Sequence, residues 1–214
     1  MKIVRSSLAL AVVVSLAATG VASATTKPRP KPQPVCNLIT DDAGDASPQT
    51  PVPTDDSLDV LSGDLASDAK KVTAVIRLKD LGATSPTQLS GRNFYFLFSL
   101  PKADNPIYFS YEDSGPALGA SFSWGDLEPG SGGVGTYTSK GTATGVVDTD
   151  KNQIRITVPV SEVKTLASIA PGTKVTNLHI STTAVVGVIV FDVDTAEASK
   201  AYIAGNPSCV VPGK

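Results

Sequence analysis

Two strand-like runs decide the fold of this chain, Leu58-Asp59-Val60-Leu61-Ser62-Gly63-Asp64-Leu65 and Lys71-Val72-Thr73-Ala74-Val75-Ile76-Arg77-Leu78. Apolar residues occupy every second position of the second run, a spacing typical of a strand with one face on a core. An acidic turn with one glycine, Asp41-Asp42-Ala43-Gly44-Asp45, precedes both runs. This segment therefore indicates both a fold and an ion site.

The same alternation recurs in residues 94–100, 107–111, 118–124 and 154–160. Residues 134–147 are rich in threonine and glycine and are predicted to form one long solvated strand, and residues 175–190 one or two further strands. By this spacing the inward core positions include Phe94, Phe96, Phe98, Phe109, Phe122 and Trp124. Residues 161–166 and 195–201 are predicted to form short helical turns. Many strands with almost no helix predict an all-β protein, and specifically an antiparallel β-sandwich of jelly-roll type.

The amino-terminal segment has the pattern of a signal peptide over residues 1–24. Lys2 and Arg5 are followed by an apolar run at residues 8–18 and by the small residues Ala22-Ser23-Ala24. The run is too short for a good membrane span, although an uncleaved anchor is the alternative. We therefore expect a secreted, extracellular protein without stable membrane insertion.

Residues 25–35 are predicted to be a proline-rich linker, residues 36–210 the sandwich domain and residues 211–214 a tail. The linker alternates proline with mostly basic residues and serves either as a spacer or as a basic arm that contacts anionic wall polymers. Loss of Lys2 and Arg5 from the 18 basic residues would leave 16 against 20 acidic residues, a net charge of −4. This balance argues against nucleic acid as a partner.

The sequence has two cysteines, Cys36 and Cys209, at opposite ends of the predicted domain. An even number of cysteines in an oxidising compartment predicts one disulfide bond, which would join the first strand to the last. The alternatives are a metal pair or free thiols. Two thiolates and one histidine make a poor zinc site, so we favour the disulfide.

Three motifs are similar to those of the DOMON-like and family 9 carbohydrate-binding-module β-sandwiches: the acidic turn at residues 41–45, Leu58-Asp59-Val60 and Lys79-Asp80-Leu81. The segment Phe191-Asp192-Val193-Asp194-Thr195-Ala196, with Tyr202, Gly205 and Cys209, also resembles the end of secreted actinobacterial domains of this kind. The resemblance implies a jelly-roll-like sandwich and, in several members, a structural calcium ion near the first turn. Its members include sugar binders and haem-binding redox domains, so it does not decide the function.

Calcium requires six to eight oxygen ligands on a backbone that bends around the ion. The predicted ligands are Asp41, Asp42, Asp45, Asp59 and Asp192, with Asp194 as an alternative to Asp192. Aspartate and glycine also form ordinary turns, in which the side chains bond only to their own backbone. The sequence leaves both interpretations open.

Sugar binding generally requires exposed aromatic faces beside polar groups. Tyr95 and Tyr108 fall on the faces opposite the predicted core and are therefore the candidate contacts for a polysaccharide or cell-wall polymer. An ordinary half-exposed sheet is the alternative. The only histidine is His179 and the only methionine is Met1, so neither haem nor a catalytic triad is expected. The prediction is a non-catalytic module that binds an envelope polymer, or otherwise a structural or protein-interaction domain with no small ligand.

Overall fold

Two antiparallel sheets pack face to face in the computed structural model, which describes residues 37–47, 52–130 and 135–205. One sheet has five strands in the order β1-β2-β3-β9-β8, and the other has seven, in the order β11-β10-β4-β5-β6-β7 with β12 paired to β10. All pairings between these strands are antiparallel. The predicted all-β sandwich is confirmed.

The strands, in chain order, are β1 (Ile39–Thr40), β2 (Val60–Ser67), β3 (Lys71–Leu78), β4 (Gly91–Ser99), β5 (Ile107–Asp113), β6 (Ala120–Pro129), β7 (Gly135–Thr142), β8 (Thr144–Asp148), β9 (Gln153–Pro159), β10 (Lys174–Val186), β11 (Ile189–Glu197) and β12 (Tyr202–Ile203). Two helical turns, α1 (Gly115–Leu118) and α2 (Val160–Val163), and two short 3-10 turns, Asp56–Leu58 and Thr149–Lys151, connect them.

The core lies between the sheets and contains the residues that the period-two alternation assigns to it. Phe94, Phe96 and Phe98 of β4 are fully buried, as are Phe109 and Trp124, and Phe122 is half-buried against them. Gly63 allows the sheets to approach closely, since a Cβ at this position would overlap Cδ1 of Ile180 on β10. The aromatic core prediction is therefore confirmed, with Phe122 at its margin.

Three local predictions are wrong. Residues 135–148 form two strands in different sheets, with Ala143 between β7 and β8, instead of the one long strand predicted for residues 134–147. Residues 195–201 do not form a helical turn, because β11 continues to Glu197 and pairs with His179. Leu118 is 84 % exposed in α1 and does not face the core. In the first two cases strand pairing decides the local structure, which short-range patterns do not encode.

Residues next to the first and the last described strands both hydrogen-bond side chains of β2. The amide of Leu38 donates to Oδ1 of Asp64 (3.1 Å), and the amide of Gly205 donates to Oγ of Ser67 (2.8 Å). Asp64 is fully buried and also accepts a hydrogen bond from Arg77 at 2.7 Å. Cys36, Cys209, the predicted signal peptide, the linker and the tail lie outside the described residues. No helix in the described part of the chain is long and apolar enough to cross a bilayer.

Candidate metal centre and aromatic face

Three carboxylates converge where the loop after β1 meets β11. Asp41 and Asp45 belong to the loop and Asp194 to β11, and one oxygen from each lies within 4.8 Å of the other two. The cluster therefore spans the two sheets, because β1 belongs to the five-stranded sheet and β11 to the seven-stranded sheet. We call Asp41, Asp45 and Asp194 the carboxylate cluster.

Backbone hydrogen bonds hold the loop in place at both ends. The amide of Asp41 donates to the carbonyl oxygen of Leu61 (3.0 Å), and the amide of Ser47 donates to the carbonyl oxygen of Val193 (3.0 Å). Between them Gly44 has φ of +87°, which favours glycine. The acidic turn is therefore fastened to β2 at one end and to β11 at the other.

Asp59, immediately before β2, lies beneath the same turn. Its Oδ2 accepts a hydrogen bond from the amide of Gly44 (2.7 Å) and lies 3.4 Å from Nζ of Lys79. Its Oδ1 is buried and has no hydrogen-bond partner, and the same is true of Oδ2 of Asp41. A buried carboxylate oxygen destabilises the folded state unless it is hydrogen-bonded, paired with a cation or bound to a metal ion.

Asp194 is oriented by two backbone amides. Val60 donates to its Oδ2 (2.7 Å) and Thr195 donates to its Oδ1 (2.8 Å). The amide of Val60 belongs to the opposite sheet, so this carboxylate already bridges the sandwich. Asp194 remains half-buried inside the seam.

The electrostatics of the cluster are unfavourable without a cation. Burial raises the pKa of Asp41, and the carboxylates of Asp194 and Asp45 raise it further. Burial also raises the pKa of Asp194, with further increases from Asp45 and Asp59 that oppose the two amide hydrogen bonds. Among the described residues, none of the three cluster carboxylates has a salt-bridge partner. The ionised cluster therefore opposes folding at neutral pH.

The predicted ligands are only partly brought together. Asp41 and Asp45 are in the cluster, and Asp59 hydrogen-bonds the loop between them. Asp42 is exposed and contributes its amide to Oδ1 of Asp41 (3.1 Å). Asp192 is also exposed and is not in the cluster, where Asp194 takes its place.

The donor set fits a hard divalent cation. All three cluster side chains offer oxygen ligands, and the buried Oδ2 of Asp41 has no hydrogen-bond partner, as expected where a cation supplies the missing contact. Asp41, Asp45 and Asp194 would hold calcium directly, and Asp59 would order the glycine turn between two of them. Lys79 neutralises Asp56 and Asp59 but forms no ion pair with the cluster.

Tyr95 and Tyr108 lie on the outer face of the seven-stranded sheet, which is the face turned away from the five-stranded sheet. They form a small hydrophobic cluster with Leu97, separate from the main core. Only 8 % of Tyr95 and 3 % of Tyr108 is exposed, so neighbouring side chains cover both rings. Their role in ligand binding stays a prediction.

Tyr137 of β7 covers both rings. It stacks on Tyr95 at a centroid distance of 4.2 Å and meets Tyr108 edge-on at 5.1 Å, and it is 39 % exposed itself. Sequence reasoning missed Tyr137 because residues 134–147 appear as one solvated strand. The signal that marks it is a single aromatic residue between Gly135 and Ser139 in an otherwise small and polar strand.

Gly125 permits this arrangement. A Cβ at Gly125 would overlap the carbonyl oxygen of Thr138 and lie 2.9 Å from Cε1 of Tyr108. The pairing of β6 with β7 shifts register between Trp124 and Gly125, as at a β-bulge. Burial raises the pKa of the Tyr108 hydroxyl, and the neighbouring side chains of Ser123 and Ser139 partly oppose this rise.

Comparison with known proteins gives no identification, since no family model matches the chain and no curated protein is significantly similar to it. Fold and site together define an all-β sandwich with a candidate cation site at its seam. The similarity to DOMON-like and family 9 carbohydrate-binding modules stays a prediction.

Proposed function

We propose that this protein is a secreted, non-catalytic β-sandwich module that binds carbohydrate or another cell-envelope polymer and is stabilised by a structural calcium ion. The observation that supports it best is the carboxylate cluster, with one oxygen of each side chain within 4.8 Å of the others and no basic partner among the described residues. A calcium ion there would join the loop after β1 to β11 and so hold the sheets together.

A structural role for the ion follows from how the carboxylates are used. Asp59 and Asp194 each accept backbone amide hydrogen bonds that fix the turn and the start of β2. Carboxylates that accept backbone hydrogen bonds in this way hold the loop after β1 and the start of β2 in place. A non-catalytic module is the proposal because the sequence has a single histidine, His179, and no recognisable catalytic triad.

The calcium part is tested by thermal unfolding of the purified chain in calcium and in chelator. Calcium is expected to raise the melting temperature, since a ligand at a hundred times its Kd adds about 2.7 kcal/mol of stability. Asp45→Asn should lose this response, and in chelator it should melt at or above the wild-type temperature, because one repelling charge is gone. Asp150→Asn, an exposed acid in the turn Thr149–Lys151, is the matched control and should respond like wild type.

Equal melting temperatures in calcium and in chelator, with no metal detected in the purified protein, would contradict the calcium part. The polymer part is tested separately, by retention of the protein on isolated cell envelope treated with periodate or with protease. Periodate destroys sugar diols and is expected to abolish retention. Envelope that still retains the protein after periodate but not after protease would favour a protein partner.

A protein-interaction domain is the second candidate, and one observation favours it. Four exposed apolar side chains lie at the same end of the seven-stranded sheet: Leu118, Val188, Ile189 and Val190. The β10–β11 turn and α1, which carry these side chains, both approach Ser90. The Gly187 amide donates to Oγ of Ser90 (2.9 Å), and a Cβ built on Gly115 would lie 3.3 Å from the Ser90 carbonyl oxygen. Val188→Ser with Ile189→Thr should abolish protease-sensitive retention and leave glycan retention unchanged.

A further inference from the structure

The outer face of the seven-stranded sheet carries one aromatic ring that is supported from below and open above. Tyr137 lies nearly parallel to Tyr95, at an interplanar angle of 17°, and Tyr108 closes one edge. The exposed 39 % of the residue is therefore on the side turned away from Tyr95. An aromatic ring held rigidly in this way binds a flat apolar surface with little loss of conformational entropy.

Polar side chains continue from this ring along β10 and β11. Three cross-strand pairs follow one another on the outer face: Thr183 with Asp192, Ser181 with Thr195, and His179 with Glu197. Asp192 is close enough to Tyr137 to raise the pKa of its hydroxyl. The row ends at a cavity of about 450 Å³ lined by His179, Glu197 and Asn177.

The charges on this face select against an anionic ligand. Strand register places Asp192 on this outer face, and its negative charge raises the pKa of the Tyr137 hydroxyl. The charge of Glu112 likewise raises the pKa values of Tyr95 and Tyr108. No residue of β11 between Asp192 and Glu197 is basic. Lys174 and Lys200 line the cavity at the far end of the polar row, away from Tyr137. Carboxylates and hydroxyls suit the hydroxyl groups of uncharged sugars, whereas a polyanion would be repelled at the aromatic end.

We propose that a neutral polysaccharide binds along the β10–β11 side of this face, with one sugar ring stacked on Tyr137 and its hydroxyls on Asp192, Thr195 and Glu197. This inference rests on the proposed carbohydrate-binding function and names the ligand class and the surface. It replaces direct stacking on Tyr95 and Tyr108, which instead support Tyr137 from beneath.

The test is a depletion binding isotherm of the full chain on insoluble chitin, cellulose and starch, with polygalacturonate beads as the anionic probe. At least one neutral probe is expected to retain the protein and the anionic probe is not. Tyr137→Ala should weaken retention about tenfold, the order of one aromatic contact. Tyr137→Phe keeps the ring and should bind like wild type, and Val146→Ala, on exposed β8 of the other sheet, is the control for surface apolar loss.

A second variant keeps the test independent of the aromatic cluster. Thr195→Arg places a long cation in the polar row, where the Thr195 side chain is exposed, and should block retention while the protein stays folded by circular dichroism. Unchanged retention in both folded variants, or preference for the anionic probe, would overturn this site and leave the proposed function standing. Wild-type protein that binds none of the neutral probes and is retained on envelope only through protein would overturn both.

Discussion

Asp192 and Asp194 lie two residues apart on β11, yet their side chains are on opposite faces of the seven-stranded sheet. The register shifts at this point, so that Thr182 pairs with Asp194, Thr183 pairs with Asp192, and Val193 is the extra residue of a bulge. Asp194 bonds the amide of Val60 inside the seam, whereas Asp192 lies near Tyr137 outside. A regular strand would have placed both carboxylates on one face.

This separation predicts that the two aspartates have independent roles. Asp194→Asn is expected to abolish the calcium-dependent rise in melting temperature, which should be about 5–10 °C at saturating calcium for a domain of this size. Asp192→Asn should leave that rise unchanged and weaken glycan retention. Differential scanning fluorimetry and the binding isotherm measure the two effects. If Asp192→Asn also removed the calcium response, the assignment of faces would be wrong.

The tyrosine cluster predicts an unusual alkaline titration. Burial, followed by the negative charge of Asp192, raises the pKa of Tyr137 to about 12, and burial also raises the pKa values of Tyr95, Tyr108 and Tyr111. A group whose folded pKa is raised contributes stability that is complete below the unfolded pKa of 10.0 and is lost as the pH rises through the folded value. The protein should therefore lose stability between pH 10 and about pH 12.

Phenolate absorbance measures this titration directly, with circular dichroism to detect unfolding. Tyr137→Phe should remove one of the late steps from the native curve. A single transition of all five tyrosines at the ordinary pKa, in protein that is still folded, would contradict the burial of the cluster.

Gly125→Ala should be strongly destabilising. A methyl group there overlaps the backbone of Thr138 and crowds Tyr108, so β7 cannot keep its approach to the sheet. Overpacking of this kind costs about 1–3 kcal/mol, and a backbone obstacle places this substitution at the upper end. The free energy of unfolding in urea is the measurement. Gly82→Ala is the matched control, because its nearest neighbour would be Oδ1 of Asp80 at an ordinary 3.5 Å, and equal effects of the two changes would contradict the argument.

The Cys36–Cys209 disulfide stays a prediction, because both cysteines lie outside the described residues. Leu38 bonds Asp64 and Gly205 bonds Ser67, so both ends of the described domain reach the same stretch of β2. Mass spectrometry of the unreduced protein should find one linked peptide pair, and reduction should lower the stability by up to about 4–5 kcal/mol in the chain-entropy model. Two freely alkylated thiols in the folded protein would refute the bond.

The alternation of apolar and polar residues along the strands made much of the fold predictable. Ile154, Ile156 and Val158 on β9, like Phe94, Phe96 and Phe98 on β4, give the strand and its buried face directly. The cation site was predictable in part, because aspartates around Gly44 are close in sequence. Asp194 was not separable from Asp192, since a single extra residue such as Val193 leaves no mark on composition or spacing. Tyr137 was missed for a related reason. It stacks on Tyr95 although β5 and β6 lie between β7 and β4 in the sheet, and the sequence pattern does not encode such a contact.

The bonds that join β2 to the last strands set the order in which the protein can fold. The Val60 amide bonds to Asp194, which lies 134 residues later in the chain, and Ser67 accepts a hydrogen bond from Gly205, which lies 138 residues later. A chain emerging from the ribosome therefore exposes the open edge of its first sheet until nearly all of it has been synthesised. Contacts so distant in sequence slow folding and leave strand edges open to aggregation meanwhile. Truncation of β11 and of the residues that follow it would leave the Val60 amide and the Ser67 hydroxyl of β2 without Asp194 and Gly205.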